Sequence, residues 1–188
     1  MRIRPTFLIL CWAVLILVWF VAAFSAKPVK QRQDRRSRAI TILSLALAFA
    51  LLAGRIDFDG LGRRILVGSA QLHFVANGLV LLGLVICLWA RVSLGTNWSG
   101  AITLKENHEL IEKGPYRFVR HPMYTGLLVM FLGTALAAGR VSAFLGLVIC
   151  LFALWHKLRL EETLLLANFP DTYPSYKART KALVPFLV

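Results

Sequence analysis

The sequence predicts an all-α, polytopic membrane fold with about five transmembrane helices, the last two forming a tight helical hairpin. Three observations predict it. Hydrophobic residues make up 58% of the 188-residue chain and charged residues only 16%, against roughly half and about a quarter in soluble domains. The apolar residues gather in long charge-free runs, whereas a soluble amphipathic helix interleaves the two kinds. The 22 basic residues, set against 9 acidic ones, sit mainly in the gaps between those runs. The net charge of +13 therefore reads as the loop bias of a membrane protein and not as a nucleic-acid surface.

The first run is Thr6 to Ala26, which at 1.5 Å per residue covers roughly 31 Å, one bilayer core. Arg2 and Arg4 precede it, and Ala22, Ala23 and Ala26 loosely mimic a signal cleavage site. Its length and the basic stretch that follows favour a retained span. Lys27 to Arg38 carries six basic residues and one acid, Asp34, and reads as a membrane-surface loop. A short second run covers Ala39 to Ala53, and a third covers Leu72 to Ala90, with the mixed segment Arg55 to Gln71 between them. The longest polar segment, Arg91 to Arg120, follows. Two further runs, Met123 to Ala138 and Val141 to Trp155, are separated only by Gly139 and Arg140. A link this short makes them an antiparallel helix pair.

Five spans place alternate segments on opposite sides. Lys27 to Arg38, Arg91 to Arg120 and the tail then share one side and hold 16 Lys and Arg residues, against 6 on the other. The bias predicts the N-terminus outside and the C-terminus in the cytoplasm. The expected location is the cell (inner) membrane, spanned several times. Cys11, Cys87 and Cys150 each lie inside a separate apolar run. They read as small buried apolar residues, not as a disulfide or metal framework.

Two polar segments carry most of the chemistry. In Gly114-Pro-Tyr-Arg-Phe-Val-Arg-His-Pro-Met-Tyr-Thr-Gly126, Gly-Pro marks a turn. Pro122 fits the first turn of a helix, where its missing N–H costs nothing. The backbone N–H groups that follow are then open to an anion. An interfacial belt accounts for Tyr116, Arg117, Arg120 or Tyr124 singly. It accounts less well for the cluster with His121-Pro122 and two bracketing glycines. The second segment is Lys157-Leu-Arg-Leu-Glu-Glu162. Continued as helix, it makes Lys157–Glu161 and Arg159–Glu162 neighbours. These are either ordinary surface ion pairs or the charged wall of a pocket at the membrane boundary. Phe169, Tyr173 and Tyr176 have helical spacing broken by Pro170 and Pro174 and are expected to pack on the membrane surface. Asn97-Trp-Ser99 matches a glycosylation sequon that a cytoplasmic position would leave unused. Gly60-Leu-Gly62 lacks a preceding strand, and no Walker loop, H-E-x-x-H or G-x-S-x-G is present.

The order Asn97-Trp-Ser99, His108-x-Leu-Ile111, Gly114-Pro-Tyr116, Arg120-His-Pro-x-Tyr124, hydrophobic hairpin, Glu161-Glu162 and Phe169-x-x-x-Tyr-x-x-Tyr176 resembles the isoprenylcysteine carboxyl methyltransferases, which are related to phospholipid methyltransferases. The resemblance covers roughly residues 91 to 185. It implies S-adenosyl-L-methionine as cofactor and a lipidic or prenylated acceptor entering sideways from the bilayer. It divides the chain into a three-span region, 1–90, and a catalytic region, 91–188, within one structural domain. The implied cofactor residues are His108, Glu109, Leu110, Ile111, Tyr116, His121, Pro122, Met123, Tyr124, Glu161 and Glu162. Well-known members carry an acceptor-binding Arg four positions before the first of these glutamates, where this chain has Lys157. Arg159 is the second candidate for that contact. No metal is implied. Lysine lacks the bidentate fork of arginine, so the acceptor stays open: a carboxylate needs no base at neutral pH, whereas an amine needs one, with Glu162 or His108 available. Other readings are N- or S-methylation of a phospholipid or small acceptor, an NADPH-dependent membrane reductase sharing Arg-His-Pro-x-Tyr, and a non-catalytic membrane subunit.

Overall fold

The computed structural model describes residues 6–24, 29–32, 34–56, 60–97, 103–105 and 110–184. The order of elements is α1 (Thr6–Phe24), β1 (Val29–Arg32), α2 (Arg35–Leu52), α3 (Ala70–Leu94), β2 (Thr103–Lys105), α4 (Pro122–Ala138), α5 (Val141–Asn168) and α6 (Tyr173–Arg179). Each apolar run of the sequence coincides with one of the first five helices. α2 starts earlier than its apolar run because Asp34 caps it, accepting from the backbone N–H of Arg36 at 3.0 Å and Ser37 at 3.2 Å. Such caps satisfy N–H groups left open in the first turn. Ser69 does the same for α3 through Leu72 at 3.1 Å. One addition to the expected all-α fold is a short antiparallel pairing of β1 with β2.

Among the described residues three helices, α1, α3 and α5, are long and apolar enough to cross a membrane. α4 is shorter at 17 residues, and α2 spends its first turn on Arg35, Arg36 and Arg38. α1 buries only Cys11, Leu15 and Ala22, while Leu17, Phe20 and Phe24 on its other sides are more than half exposed. A helix apolar on every side but buried on one needs lipid as its solvent. The protein is a helical membrane protein.

The core is a close four-helix arrangement of α2 to α5, with α1 on its flank. α3 lies mainly against α4, and α5 mainly against α2. Glycines set the α3–α4 approach: a Cβ on Gly126 would meet the Gly83 carbonyl oxygen at 2.7 Å, and one on Gly133 would meet that of Ala76 at 2.6 Å. Without a hydrophobic force between helices in lipid, small residues that let backbones approach favour packing. Trp12 ties α1 to the bundle. Its ring lies edge-on to Phe49 and Phe131, centroids 4.9 and 5.3 Å away, and its Nε1 donates to Thr134 Oγ1 at 3.1 Å. Cys11, Cys87 and Cys150 are buried and unpaired as disulfides, as their positions in apolar runs predict.

The connections gather at two ends. The α2–α3 loop bonds to the α4–α5 link: Ile65 N–H donates to Gly139 O at 2.8 Å and Val141 N–H to Arg63 O at 3.1 Å. Gly139, in the left-handed region at φ 61°, closes α4. Elsewhere β1 meets β2, and the tail runs beside the entry to α4, where Val119 pairs with Lys181. α5 has 28 residues, about 42 Å of helix. That exceeds a hydrocarbon core of about 30 Å, and the charged residues Lys157, Arg159, Glu161 and Glu162 all fall in its C-terminal half.

Candidate active site

Three pieces of chain converge on the C-terminal half of α5: the approach to α4, the loop before it, and the tail. Gly114 takes φ 63°, which opens a 3-10 turn over Gly114–Arg117 with Pro115 at its start. This turn buries Tyr116. Pro122 occupies the first turn of α4, as the sequence predicts. Backbone bonds then fix the tail alongside: Arg120 N–H donates to Lys181 O at 2.8 Å, and His121 N–H to Ala182 O at 3.0 Å. Thr125 Oγ1 adds a bond to Leu183 O at 2.6 Å.

The centre is a network of charges. Arg120 Nε donates to Glu162 Oε1 at 2.7 Å, and Lys177 Nζ to Glu162 Oε2 at 2.6 Å. Arg120 also donates through Nη1 to the carbonyls of Lys177 and Thr180. Glu162 is thus saturated by cations, and Arg120 joins α5 to the tail. On the other side of His121 lies Glu161, with Nδ1 3.4 Å from Glu161 Oε2 and Nε2 3.6 Å from Glu162 Oε1. His121 stacks flat on Tyr124, centroids 5.4 Å apart. The Lys157 ammonium lies 5.3 Å above the Tyr124 ring and close to the Glu161 charge.

Burial opposes a charged His121, but hydrogen bonding and charge from Glu161 and Glu162 outweigh it, and its pKa is raised. Burial, and after it the Glu161 charge, holds the Tyr116 phenol well above its ordinary range, so it is neutral. Among the described residues the cluster contains three basic side chains (Arg120, Lys157 and Lys177), His121 and two carboxylates, and burial lowers the Lys157 pKa against the pull of the Glu161 charge. Only Glu162 has both oxygens engaged by cations, while the Glu161 side chain keeps 25% exposure.

Beside the network is a cavity of about 70 Å³. Leu94 of α3, Leu165 of α5, and Leu110 and Ile111 of the loop supply its apolar walls, and Tyr116, Tyr173 and Tyr176 its aromatic ones. Arg120 borders it as well. Tyr176 OH donates to Tyr116 O at 2.7 Å, and an Arg179–Glu112 ion pair joins α6 to the loop.

Of the sequence candidates, the fold brings together His121, Pro122, Tyr124, Lys157, Glu161 and Glu162, with Tyr116, Leu110 and Ile111 around the adjoining cavity. Met123 packs against the core, and its carbonyl faces Cys87 Sγ at 3.5 Å. Arg159 is exposed, roughly 200° around the helix from Lys157, and is not brought to the cluster. Glu162 pairs with Arg120 and Lys177 instead of Arg159. His108 and Glu109 lie outside the described residues, as do Trp98 and Ser99 of the sequon. The tail corrects another expectation. Tyr173 and Tyr176 are buried, with 0% and 3% exposure, and do not lie on a membrane surface. Pro174 starts α6 instead of breaking it, which folds the tail back onto α5. Sequence reasoning missed Lys177, placed Tyr173 on the membrane surface and read Arg120 as interfacial. The Tyr-x-x-Tyr spacing was the available signal for the tail.

A sequence model of the family described as phospholipid methyltransferase matches residues 72–172. The chain is 30% identical over 118 residues to the protein-S-isoprenylcysteine O-methyltransferase of Schizosaccharomyces pombe, covering 60% of this chain and 49% of that protein. It is 32% identical over 115 residues to the enzyme of that name from Saccharomyces cerevisiae, covering 58% and 47%. Protein-S-isoprenylcysteine O-methyltransferase B of Arabidopsis thaliana is 28% identical over 112 residues, covering 58% and 57%. The chain thus spans about half the length of these curated relatives. The matched residues take in α3, the whole charged network except Lys177, and the hairpin between them, just over half of the sequence: the chain belongs to the phospholipid methyltransferase family.

Proposed function

We propose that the chain is an S-adenosyl-L-methionine-dependent methyltransferase that O-methylates the carboxylate of an isoprenylcysteine-like lipid at the membrane–cytosol boundary. The observation that carries the choice of acceptor is the charge of the network: three basic side chains, Arg120, Lys157 and Lys177, together with His121 meet two carboxylates. Surplus positive charge in a partly desolvated site favours an anionic acceptor and disfavours an ammonium. The names of the relatives support the same acceptor class.

The residues fit the cofactor. Glu161 is a carboxylate with residual exposure next to a neutral phenol and a stacked aromatic pair, suited to ribose hydroxyls or an amine. Leu110, Ile111, Tyr116, His121, Pro122 and Tyr124 make up the rest of its surroundings, and the family resemblance adds His108, Glu109 and Met123 to them. When bound, S-adenosyl-L-methionine supplies an already activated methyl group, so the protein need only align and desolvate. Lys157 holds the acceptor carboxylate, which is ionised at neutral pH and needs no base. Glu162 acts through position: by anchoring Arg120 and Lys177 it keeps the tail against α5.

Residues 91–188 are the catalytic region. The five-span arrangement, with the N-terminus outside the cell (inner) membrane and the tail cytoplasmic, is supported by the Lys and Arg bias. It is also supported by the pairing of loops at each end: the α2–α3 loop with the α4–α5 link, and β1 with β2. Phospholipid N-methylation is the second reading, favoured by the family description.

The test is methyl transfer from radiolabelled S-adenosyl-L-methionine by the full-length protein in bilayers. S-farnesylcysteine should accept label and phosphatidylethanolamine should not, and Lys157→Ala should raise KM for the former while leaving cofactor affinity near wild type. Label on the amine lipid alone overturns the carboxyl reading.

A further inference from the structure

The end of the molecule opposite the charged network brings arginines together. Arg140 and Glu162 lie toward the two ends of α5, about 33 Å apart along its axis, close to one hydrocarbon core. At the Arg140 end, Ile65 N–H donates to Gly139 O and Val141 N–H to Arg63 O, so Arg64 and Arg140 stand directly opposite each other in an antiparallel bridge. The two bonds flank the pair and none joins it. In such pairs the Cα atoms are about 4.5 Å apart and the side chains are at their closest. Like charges opposed in this way repel, and no ion pair between described residues includes either arginine. The Arg140 guanidinium rests against Gly54 at the end of α2: a Cβ there would lie 2.5 to 2.6 Å from its Nη1, Cζ and Nη2 atoms. Its Nε is buried without a hydrogen-bond partner.

The surroundings say what would relieve the repulsion. Arg55, next to Gly54, and Arg63, next to Arg64, are at the same end and exposed, as Arg64 is. Against these four arginines stand Asp57 and Asp59 of the same loop, which lie outside the described residues, leaving a surplus of two positive charges. Ile65, Val67 and Phe74 beside them are 53%, 91% and 81% exposed. Cations set among exposed apolar side chains at the end of a span suit the headgroup level of a bilayer. A guanidinium offers a phosphate a planar fork of donors, and a phosphate between Arg64 and Arg140 replaces one repulsion by two attractions. The start of α5 is not the attraction, because Val141 and Ser142 already donate their N–H groups to Arg63 O and Leu61 O. An acidic protein surface has no match for Val67 and Phe74, whereas acyl chains do. We propose that Arg64 and Arg140 clamp the headgroup phosphate of an anionic phospholipid, in the leaflet opposite the charged network. The proposal does not depend on the methyltransferase reading.

The test combines lipid retention, read by native mass spectrometry, with thermal unfolding of the full-length protein in neutral micelles, plain or doped with phosphatidylglycerol or phosphatidylcholine. Wild type should retain phosphatidylglycerol in preference to phosphatidylcholine and melt higher with it. Arg64→Gln should weaken that retention roughly fivefold, and Arg64→Gln/Arg140→Gln roughly 30-fold, the worth of one and two basic contacts at a membrane surface. Arg36→Gln, which removes one exposed charge from the start of α2, should leave it unchanged. In plain micelles Arg64→Gln should melt at or above wild type, because it relieves the opposed pair. A lower melting temperature there overturns the proposal, since Arg64 would then be paired within the chain. Equal losses in Arg64→Gln and Arg36→Gln overturn it by reducing the effect to overall charge, and so does a wild type with no preference for the anionic lipid. Inorganic phosphate that raises the wild-type melting temperature as much as phosphatidylglycerol does overturns the lipid as the occupant.

Discussion

Replacing Arg120 with Met should release the tail while leaving the helices in place. Arg120 donates to Glu162 at 2.7 Å and to two tail carbonyls, and the two side chains keep only 9% and 5% exposure. Removing one partner of a buried pair costs about 3–5 kcal/mol. Glu162 would keep Lys177 at 2.6 Å, and that lysine is 37% exposed, so the lower figure, about 3 kcal/mol, applies. An opening free energy reduced by that much raises the open population roughly 150-fold. When opening is fast, proteolysis follows that population. The tail provides its own reporter, because Lys177, Arg179 and Lys181 are trypsin sites. In micelles, tryptic cleavage at these positions should accelerate roughly 150-fold in Arg120→Met. The double variant Arg120→Met/Glu162→Met should recover much of the protection, because paired apolar replacements of a buried ion pair are often neutral. Wild-type cleavage rates in Arg120→Met would refute the latch.

Two further outcomes follow from other parts of the molecule. Gly126→Ala puts a Cβ 2.6 Å from Cys87 Sγ and 2.7 Å from Gly83 O, so α3 and α4 must separate. Equilibrium unfolding should show a loss of about 1–3 kcal/mol, and an unchanged midpoint would remove the close-approach argument. His121 has a folded pKa raised by its two carboxylates above an unfolded value of about 6.5. Its stabilisation is therefore full below that pH and is lost as pH rises through the folded value. The melting-temperature gap between wild type and His121→Asn should shrink across that rise, and a constant gap would show that His121 is not charged.

Much of the architecture was legible because membrane helices announce themselves by length and composition. The runs at Thr6, Leu72 and Val141 each became a helix, and the two-residue link at Gly139 predicted the turn between α4 and α5. The helix starts were less legible: Asp34 and Ser69 lie outside the apolar runs and act through capping bonds that hydropathy does not register. In the site, Pro122 and the continuation of α5 through Glu162 were readable from local rules. The partners of Glu162 were not, because Arg120 and Lys177 lie 42 and 15 residues away in sequence and meet only when the tail folds back. Helical spacing offered Arg159 instead, and that residue faces outward. Pro170 and Pro174 concealed α6 for a related reason: proline breaks a helix interior but is well placed in a first turn.

The central claim is that the Glu161 side of this network holds the nucleoside cofactor. Binding of S-adenosyl-L-methionine to the purified full-length protein, compared with Glu161→Ala, tests it most directly. Loss of charge-assisted hydrogen bonds should weaken binding roughly 10- to 150-fold, with tryptic protection of the tail intact because Glu162, not Glu161, pairs with Arg120 and Lys177. Wild-type affinity in Glu161→Ala would contradict the account.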